Sequence, residues 1–278
     1  MILIVYMIYI GTAGIPLRCK GRSTREGVEC VSNIGLEAME VEFVRGVRMK
    51  EHFAKKVKLA SDKFDIRLSV HAPYYINLAS NEKEKLEASK KRILASARIG
   101  NLMNARIIVI HPGFYMENTK EETYETMENS LSEIREILDS ENNNIILGIE
   151  TMGRQKQFGT LNEVINLSLD IEKTLPVIDF GHIHARGSGC LKTQDDFAEI
   201  FNKIEDVIGK IHLHSHLSGV FYKGGNERHH LPIDSNEPDY SLLAREIAER
   251  KGDITVISES PNIEADALKF KEMVEKEI

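Results

Sequence analysis

The segment ARIIVIHP, Ala105 to Pro112, is an apolar, β-branched run that ends at a histidine and a proline, and downstream of it YETMENSLSEIREILDS, Tyr124 to Ser140, is charged and of helical character. A strand followed by a helix is the unit from which parallel sheets are built. The unit recurs in both directions. Upstream lie MIYIG near Met7, EAMEVEF near Glu37 and IRLSVHA near Ile66, the last followed by the helical stretch NEKEKLEASKKRILASARIGNLMN. Downstream lie IILGIE near Ile145, LPVIDF near Leu175, KIHLHSH near Lys210 and ITVISES near Ile254. Eight βα units in 278 residues describe a TIM (β/α)8 barrel, read as a single domain over residues 1–278. An open, doubly wound sheet is the alternative arrangement.

A barrel of this kind carries its chemistry at the C-terminal ends of the strands. The expected strands end in residues able to bind metal: His71, His111, Glu150, Asp179 with His182 three residues on, His216 and Glu259. Six successive strands ending this way point to a metal site.

The stretch IHLHSHLSGVFYKGGNERHH, Ile211 to His230, holds five of the ten histidines. In a strand His212, His214 and His216 share one face, and only the uppermost layer of a barrel reaches the mouth. His216 is therefore the expected ligand, with His214 in reserve and His212 a packed, hydrogen-bonded interior residue. Glu227, His229 and His230 are placed on the following loop. His52 and His184 have no partner in this set.

Composition narrows the classes. A net charge of −7 argues against a broadly basic, nucleic-acid-coating surface while leaving room for a local groove. Cys19, Cys30 and Cys190 are odd in number and lack CxxC spacing, which disfavours a disulfide framework and a thiolate zinc site and fits a reducing cytoplasm. The opening MILIVYMIYI is too short to span a bilayer and reads as a buried first strand, with Met7 as an alternative start to Met1.

Seven motifs together, SVHAPYYINL, IHPG, GIETMGRQKQFGT, DFGHIHA, HLSG, NERHHLPI and SESP, resemble the endonuclease IV family of apurinic/apyrimidinic endonucleases, particularly its shorter archaeal members, within the xylose isomerase-like superfamily. The resemblance implies a cluster of about three divalent ions, zinc by family habit, with manganese or another divalent ion as the other choice. One ion would take His71, His111 and Glu150. Glu150 would bridge to a second, held also by Asp179, His216 and Glu259, and His182, Glu227 and His230 would hold the third. The sequence departs from the bacterial Asp-x-His pattern at ERHH, so the pairing is Glu227 with His230 on the archaeal spacing or with His229 on the bacterial one. The implied activity is hydrolysis 5′ to abasic sites in DNA for base excision repair, with Glu150 and Glu259 in the catalytic set, by a cytoplasmic monomer with no membrane partner.

The loop GTAGIPLRCKGRSTREG after the first strand carries Arg18, Lys20, Arg22 and Arg25 among glycines and suits a grip on DNA phosphates. Arg154, Lys156, Lys223 and Arg228 extend that rim. Tyr74 matches the family position for a ring at an extruded nucleotide, and Tyr75 stands beside it. Two other functions fit parts of the pattern: a sugar isomerase or epimerase with Glu150 and Glu259 as acid and base, and a non-catalytic metal or nucleic-acid binder.

Overall fold

The computed structural model describes residues 7–19, 21–250 and 253–278. Eight strands close into a parallel barrel: β1 (Ile8–Ala13), β2 (Ala38–Glu42), β3 (Arg67–His71), β4 (Ile107–Ile110), β5 (Ile146–Glu150), β6 (Thr174–Asp179), β7 (Leu213–Leu217) and β10 (Ile254–Ser258). Between the last two runs a small antiparallel hairpin, β8 (Gly219–Tyr222) and β9 (Glu227–Leu231). The pairing of β1 with β10 in parallel, Ile8 opposite Ile254 and Thr12 opposite Ser258, closes the sheet and excludes the open arrangement. Each of the eight expected runs falls on a barrel strand. Residues 1–6 of the opening MILIVYMIYI, read as part of the first strand, lie outside the described residues.

The strands are apolar because both of their faces are covered. Outward side chains such as Ile108, Ile110, Leu147 and Ile178 have no exposure and join the large core beneath the helices, where truncation of such a residue to alanine costs about 2–5 kcal/mol. Inside the barrel the apolar packing is a smaller group, Ile107, Val109 and Val177. Gly148 keeps that layer tight: a Cβ there would meet Ile107 Cδ1 and Val177 Cγ2, each at 2.7 Å. The helices that follow β3 and β4 are α3 (Lys83–Leu102) and α4 (Lys120–Ser140), the two stretches read as helical from their sequence.

One expectation is overturned. Cys19 and Cys30 form a disulfide, leaving Cys190 as an exposed free thiol among the described residues. Spacing and an odd count speak to metal motifs and multi-bridge frameworks, but this pair is made by the chain turning back from the loop after β1 onto α1 (Thr24–Asn33), a tertiary event that neither signal reports. The same loop is held by Glu264, whose carboxylate accepts from Leu17 N at 2.7 Å and Arg18 N at 3.1 Å, and by Ser23, which caps α1 in a reciprocal box with Glu26. Among the described residues no helix is long and apolar enough to cross a membrane.

Candidate metal centre

Because all eight barrel strands run the same way, their C-termini meet at one mouth. His71 and Glu150 are the last residues of β3 and β5, Asp179 is the last of β6, His111 follows β4, His216 lies one before the end of β7, and Glu259 follows β10. Glu150 sits at the centre of the group. Its Oε2 lies 2.8 Å from His111 Nε2 and 3.4 Å from His71 Nε2, and its Oε1 lies 3.2 Å from His182 Nδ1 and 3.4 Å from His216 Nδ1. Among the described residues, potential ligand atoms within 4.8 Å of one another form five overlapping sets: His71, His111 and Glu150; Glu150, Asp179, His216 and Glu259; Asp179, His182 and His230; and, with Glu40 of β2, Glu40, His214 and His216 and Glu40, His71 and Glu259.

Local hydrogen bonds aim these side chains. Asp179 accepts from His182 N at 2.7 Å through Oδ1, capping α6 (Phe180–Arg186), and leaves Oδ2 buried without a partner. His71 Nδ1 donates to the Ala72 carbonyl at 2.8 Å and His182 Nδ1 to the Thr151 carbonyl at 2.8 Å, which turns the Nε2 of each towards the cluster. His230 follows the same rule, with Nδ1 on the Glu259 carbonyl at 3.1 Å.

Glu227 and His230 reach the cluster from β9 of the hairpin, where sequence reading placed a loop. Its turn is Lys223 to Asn226, closed by Lys223 N on Asn226 O at 2.9 Å, with Gly224 and Gly225 both at positive φ, +59° and +69°. Two such residues make a primed turn, the type that matches strand twist, so the Gly-Gly pair after the apolar run GVFY was the available signal. The ladder pairs Phe221 with His229 and Tyr222 with Glu227, which makes Arg228 the extra residue of a bulge. Regular alternation would put Glu227 and His229 on one face; the bulge changes the phase. Glu227 then stands 3.6 Å from His182 Nε2 and 3.8 Å from His230 Nε2, while His229 is exposed and packs on the Phe221 ring at 5.2 Å. Close approach of the hairpin depends on Gly153, where a Cβ would meet Glu227 Cβ at 2.8 Å and His182 Cδ2 at 2.9 Å.

Sequence reading missed two carboxylates. Glu40 and Glu42, on β2, point into the barrel beside these groups. Glu40 has no exposure and accepts from Ser69 Oγ at 2.7 Å and His214 Nε2 at 2.9 Å. His214, the reserve candidate, is thus engaged one layer down. Parallel barrel strands are ordinarily apolar on both faces, so Glu at alternate positions of EAMEVEF was a usable signal.

The field is strongly asymmetric. Burial alone would lower the imidazoles, but Glu42, Glu150 and Glu40 hold His71 up at about 10, and His182 and His216 are raised well above the ordinary histidine range by neighbouring carboxylates against the same burial. Burial pushes Glu42 up to about 8. Glu150, against its burial, is held well below the carboxylate range by His111 and His216. His71 Nε2, Glu150 Oε2 and Asp179 Oδ2 are buried with no aligned hydrogen bond, the Glu150–His111 approach lying off the N–H line. Imidazole nitrogens and carboxylate oxygens left without hydrogen bonds, in a field that draws positive charge, are a donor set fitted to divalent cations that displace the protons.

Around the mouth, Arg18 and Arg22 are exposed on the loop after β1, and Lys20 lies outside the described residues. Tyr74 is about half exposed, with its ring 5.4 Å from His71 and 5.6 Å from His111. Tyr75 is more exposed still. The Arg154 loop and the hairpin meet through a bridge between Arg154 and Asn226, and Arg154, Lys156, Lys223 and Arg228 are exposed there.

The profile of the xylose isomerase-like TIM barrel family matches residues 28–276. An uncharacterized protein of Methanocaldococcus jannaschii is 39% identical over 265 residues, 94% of this chain and 95% of that one. A probable endonuclease 4 of Mycoplasma mobile is 28% identical over 201 residues, 70% of this chain and 69% of that one. Among solved structures, endonuclease IV from Thermus thermophilus superposes with a TM-score of 0.75 at 17% identity over 95% of this chain and 99% of that one. A D-tagatose 3-epimerase-like protein superposes with a TM-score of 0.72 at 23% identity over 96% of each chain.

Proposed function

The chain belongs to the xylose isomerase-like TIM barrel family, and from that premise we propose that it is a divalent-metal-dependent endonuclease that hydrolyses the phosphodiester bond 5′ to abasic sites in DNA. The observation that carries the reading is the hairpin: it brings His230 into a third donor set with Asp179 and His182, and Glu227 to 3.6 Å from His182 and 3.8 Å from His230. The likeness to a probable endonuclease 4 supports it.

His71, His111 and Glu150 would hold one ion, Glu150, Asp179, His216 and Glu259 a second, and His182, Glu227 and His230 a third, with zinc the favoured metal. Bound there, divalent ions polarise phosphoryl oxygens, lower the pKa of water and offset charge on the leaving oxygen. Glu259 presents Oε1 to the space beside His216 Nδ1, 3.6 Å away, from which it would orient an attacking water by accepting its hydrogen bond. Tyr74 offers a ring at the mouth against which an extruded sugar could rest. Arg18, Lys20 and Arg22 would grip phosphates, and with a net charge of −7 the attraction must come from such local loops.

A second reading, a sugar epimerase, is favoured by one observation: Glu150, Asp179, His216 and Glu259 by themselves form a compact one-ion group with two carboxylates for proton transfer. The deciding experiment combines elemental analysis with incision of a duplex bearing one abasic site. Three ions per chain and chelator-sensitive cleavage leaving a 3′-hydroxyl are expected. One ion, no cleavage and epimerisation of a ketohexose would replace the nuclease by the epimerase.

A further inference from the structure

Of the imidazoles at the mouth, His71, His182 and His230 are oriented by backbone carbonyls. His216 differs. Its Nε2 faces Glu40 Oε1 at 3.0 Å, while its Nδ1 faces Glu150 Oε1 at 3.4 Å and Glu259 Oε1 at 3.6 Å. His216 Nε2 and Glu40 Oε1 are fully buried and neither makes an aligned hydrogen bond, their own 3.0 Å approach lying off the N–H line. The aligned contact of the ring is Nδ1 on Glu150 at 3.4 Å. As neither Nε2 nor Glu40 Oε1 has another partner, Glu40 is the acceptor open to Nε2 once a metal takes Nδ1. The other oxygen of Glu40 is already taken by Ser69 and His214.

We propose that Glu40 is a positioning residue for the metal centre: it fixes His216 in the Nε2–H form and so presents the Nδ1 lone pair to the group of Glu150, Asp179 and Glu259. This inference rests on the proposed metal-dependent function. A carboxylate behind a ligating imidazole sets its tautomer and raises its basicity, and loss of such a partner typically lowers metal affinity about 10–100-fold. Ser69 and His214 hold the carboxylate still, so the chain of contacts runs Ser69 and His214 to Glu40, Glu40 to His216, and His216 to the cluster. The arrangement also gives His214 a task one layer below the mouth.

The test is a titration of metal-free protein with Co2+ against a competing chelator, for wild type and Glu40→Gln. Both are expected to take up the same number of ions, one of them about 10–100-fold more weakly in the variant. Equal affinity for every ion would overturn the inference while leaving the metal-dependent reading intact. A variant that saturates with one ion fewer would make Glu40 a ligand and also overturn it. Failure of the wild type to bind Co2+ or Zn2+ would remove the proposed function and this inference together. The second measurement needs no variant: long-range 1H–15N spectra of the Zn2+-loaded wild type should show His216 protonated at Nε2 and metal-bound at Nδ1, and the opposite assignment would overturn the proposal.

Discussion

Two ends of one strand hold the same side chain in opposite fields. At the entry to β7, His212 contacts Arg67 Nη1 at 2.7 Å and Thr255 Oγ1 at 2.8 Å, and Arg67 in turn lies 3.8 Å over the Tyr9 ring. Burial, reinforced by Arg67 and Arg106, pushes it down to about 3. Four residues on, His216 is raised because Glu259, Glu40 and Glu150 outweigh its burial. Periodicity finds the face on which both imidazoles lie; the ring of residues opposite decides which is a plug and which can work at a metal. The lower barrel is lined with guanidinium groups and the upper one with carboxylates, so cations are drawn to a single end.

The largest expected effect is at Glu150, which touches four imidazoles. Glu150→Ala should lower the incision rate on the order of a thousandfold and reduce the metal count, and a chelator should abolish cleavage by the wild type. An Arg67→Ala variant that lost as much activity would erase the contrast between the two ends. His216→Ala should lose metal and incision together, whereas His212→Ala should keep both and lower stability by about 1–2 kcal/mol in denaturant unfolding, through hydrogen bonds lost at the plug. If the two variants exchanged behaviour, the layering of β7 would be wrong. Glu259→Gln keeps shape and removes charge, so incision should fall by about a hundredfold with binding of the abasic duplex preserved; a near wild-type rate with metals in place would take Glu259 out of the catalytic set. The smallest effect is on the rim: Arg18→Ala should weaken DNA binding and reduce the slope of log K against log salt by about 0.9 for one lost phosphate contact, and an unchanged slope would place that loop away from the DNA.

The barrel was legible because each strand announces itself locally, as an apolar β-branched run before a helical stretch, and the residues at the strand ends could be read as a group once the strands were counted. What was missed had at most an ambiguous local signal and was settled by relations across the fold. Glu40 in EAMEVEF looks like the solvent side of a half-buried strand, and it faces inward only because the sheet closes on itself. The choice between His229 and His230 turned on a bulge at Arg228, whose phase shift is set by pairing across the hairpin. The Cys19–Cys30 bond depends on where the first loop lands on α1, which the helix fixes and the spacing does not.

Asp179 closes β6 with its backbone and opens α6 with its side chain, so the strand and the helix share a residue and no loop separates them. The distance from Asp179 to His182 is thereby set by one turn of helix, and any insertion or deletion between them would break the cap and shift two of the three donor groups at once. The hairpin tip is held by contacts instead: Gly225 is buried, and Gln155 donates to its carbonyl at 3.2 Å and to Asn226 Oδ1 at 3.0 Å. An insertion at the tip would thus undo contacts between two loops, whereas one after Asp179 would undo a strand end, a helix cap and two donor groups together, so the junction after β6 is where the length of the chain is most tightly set.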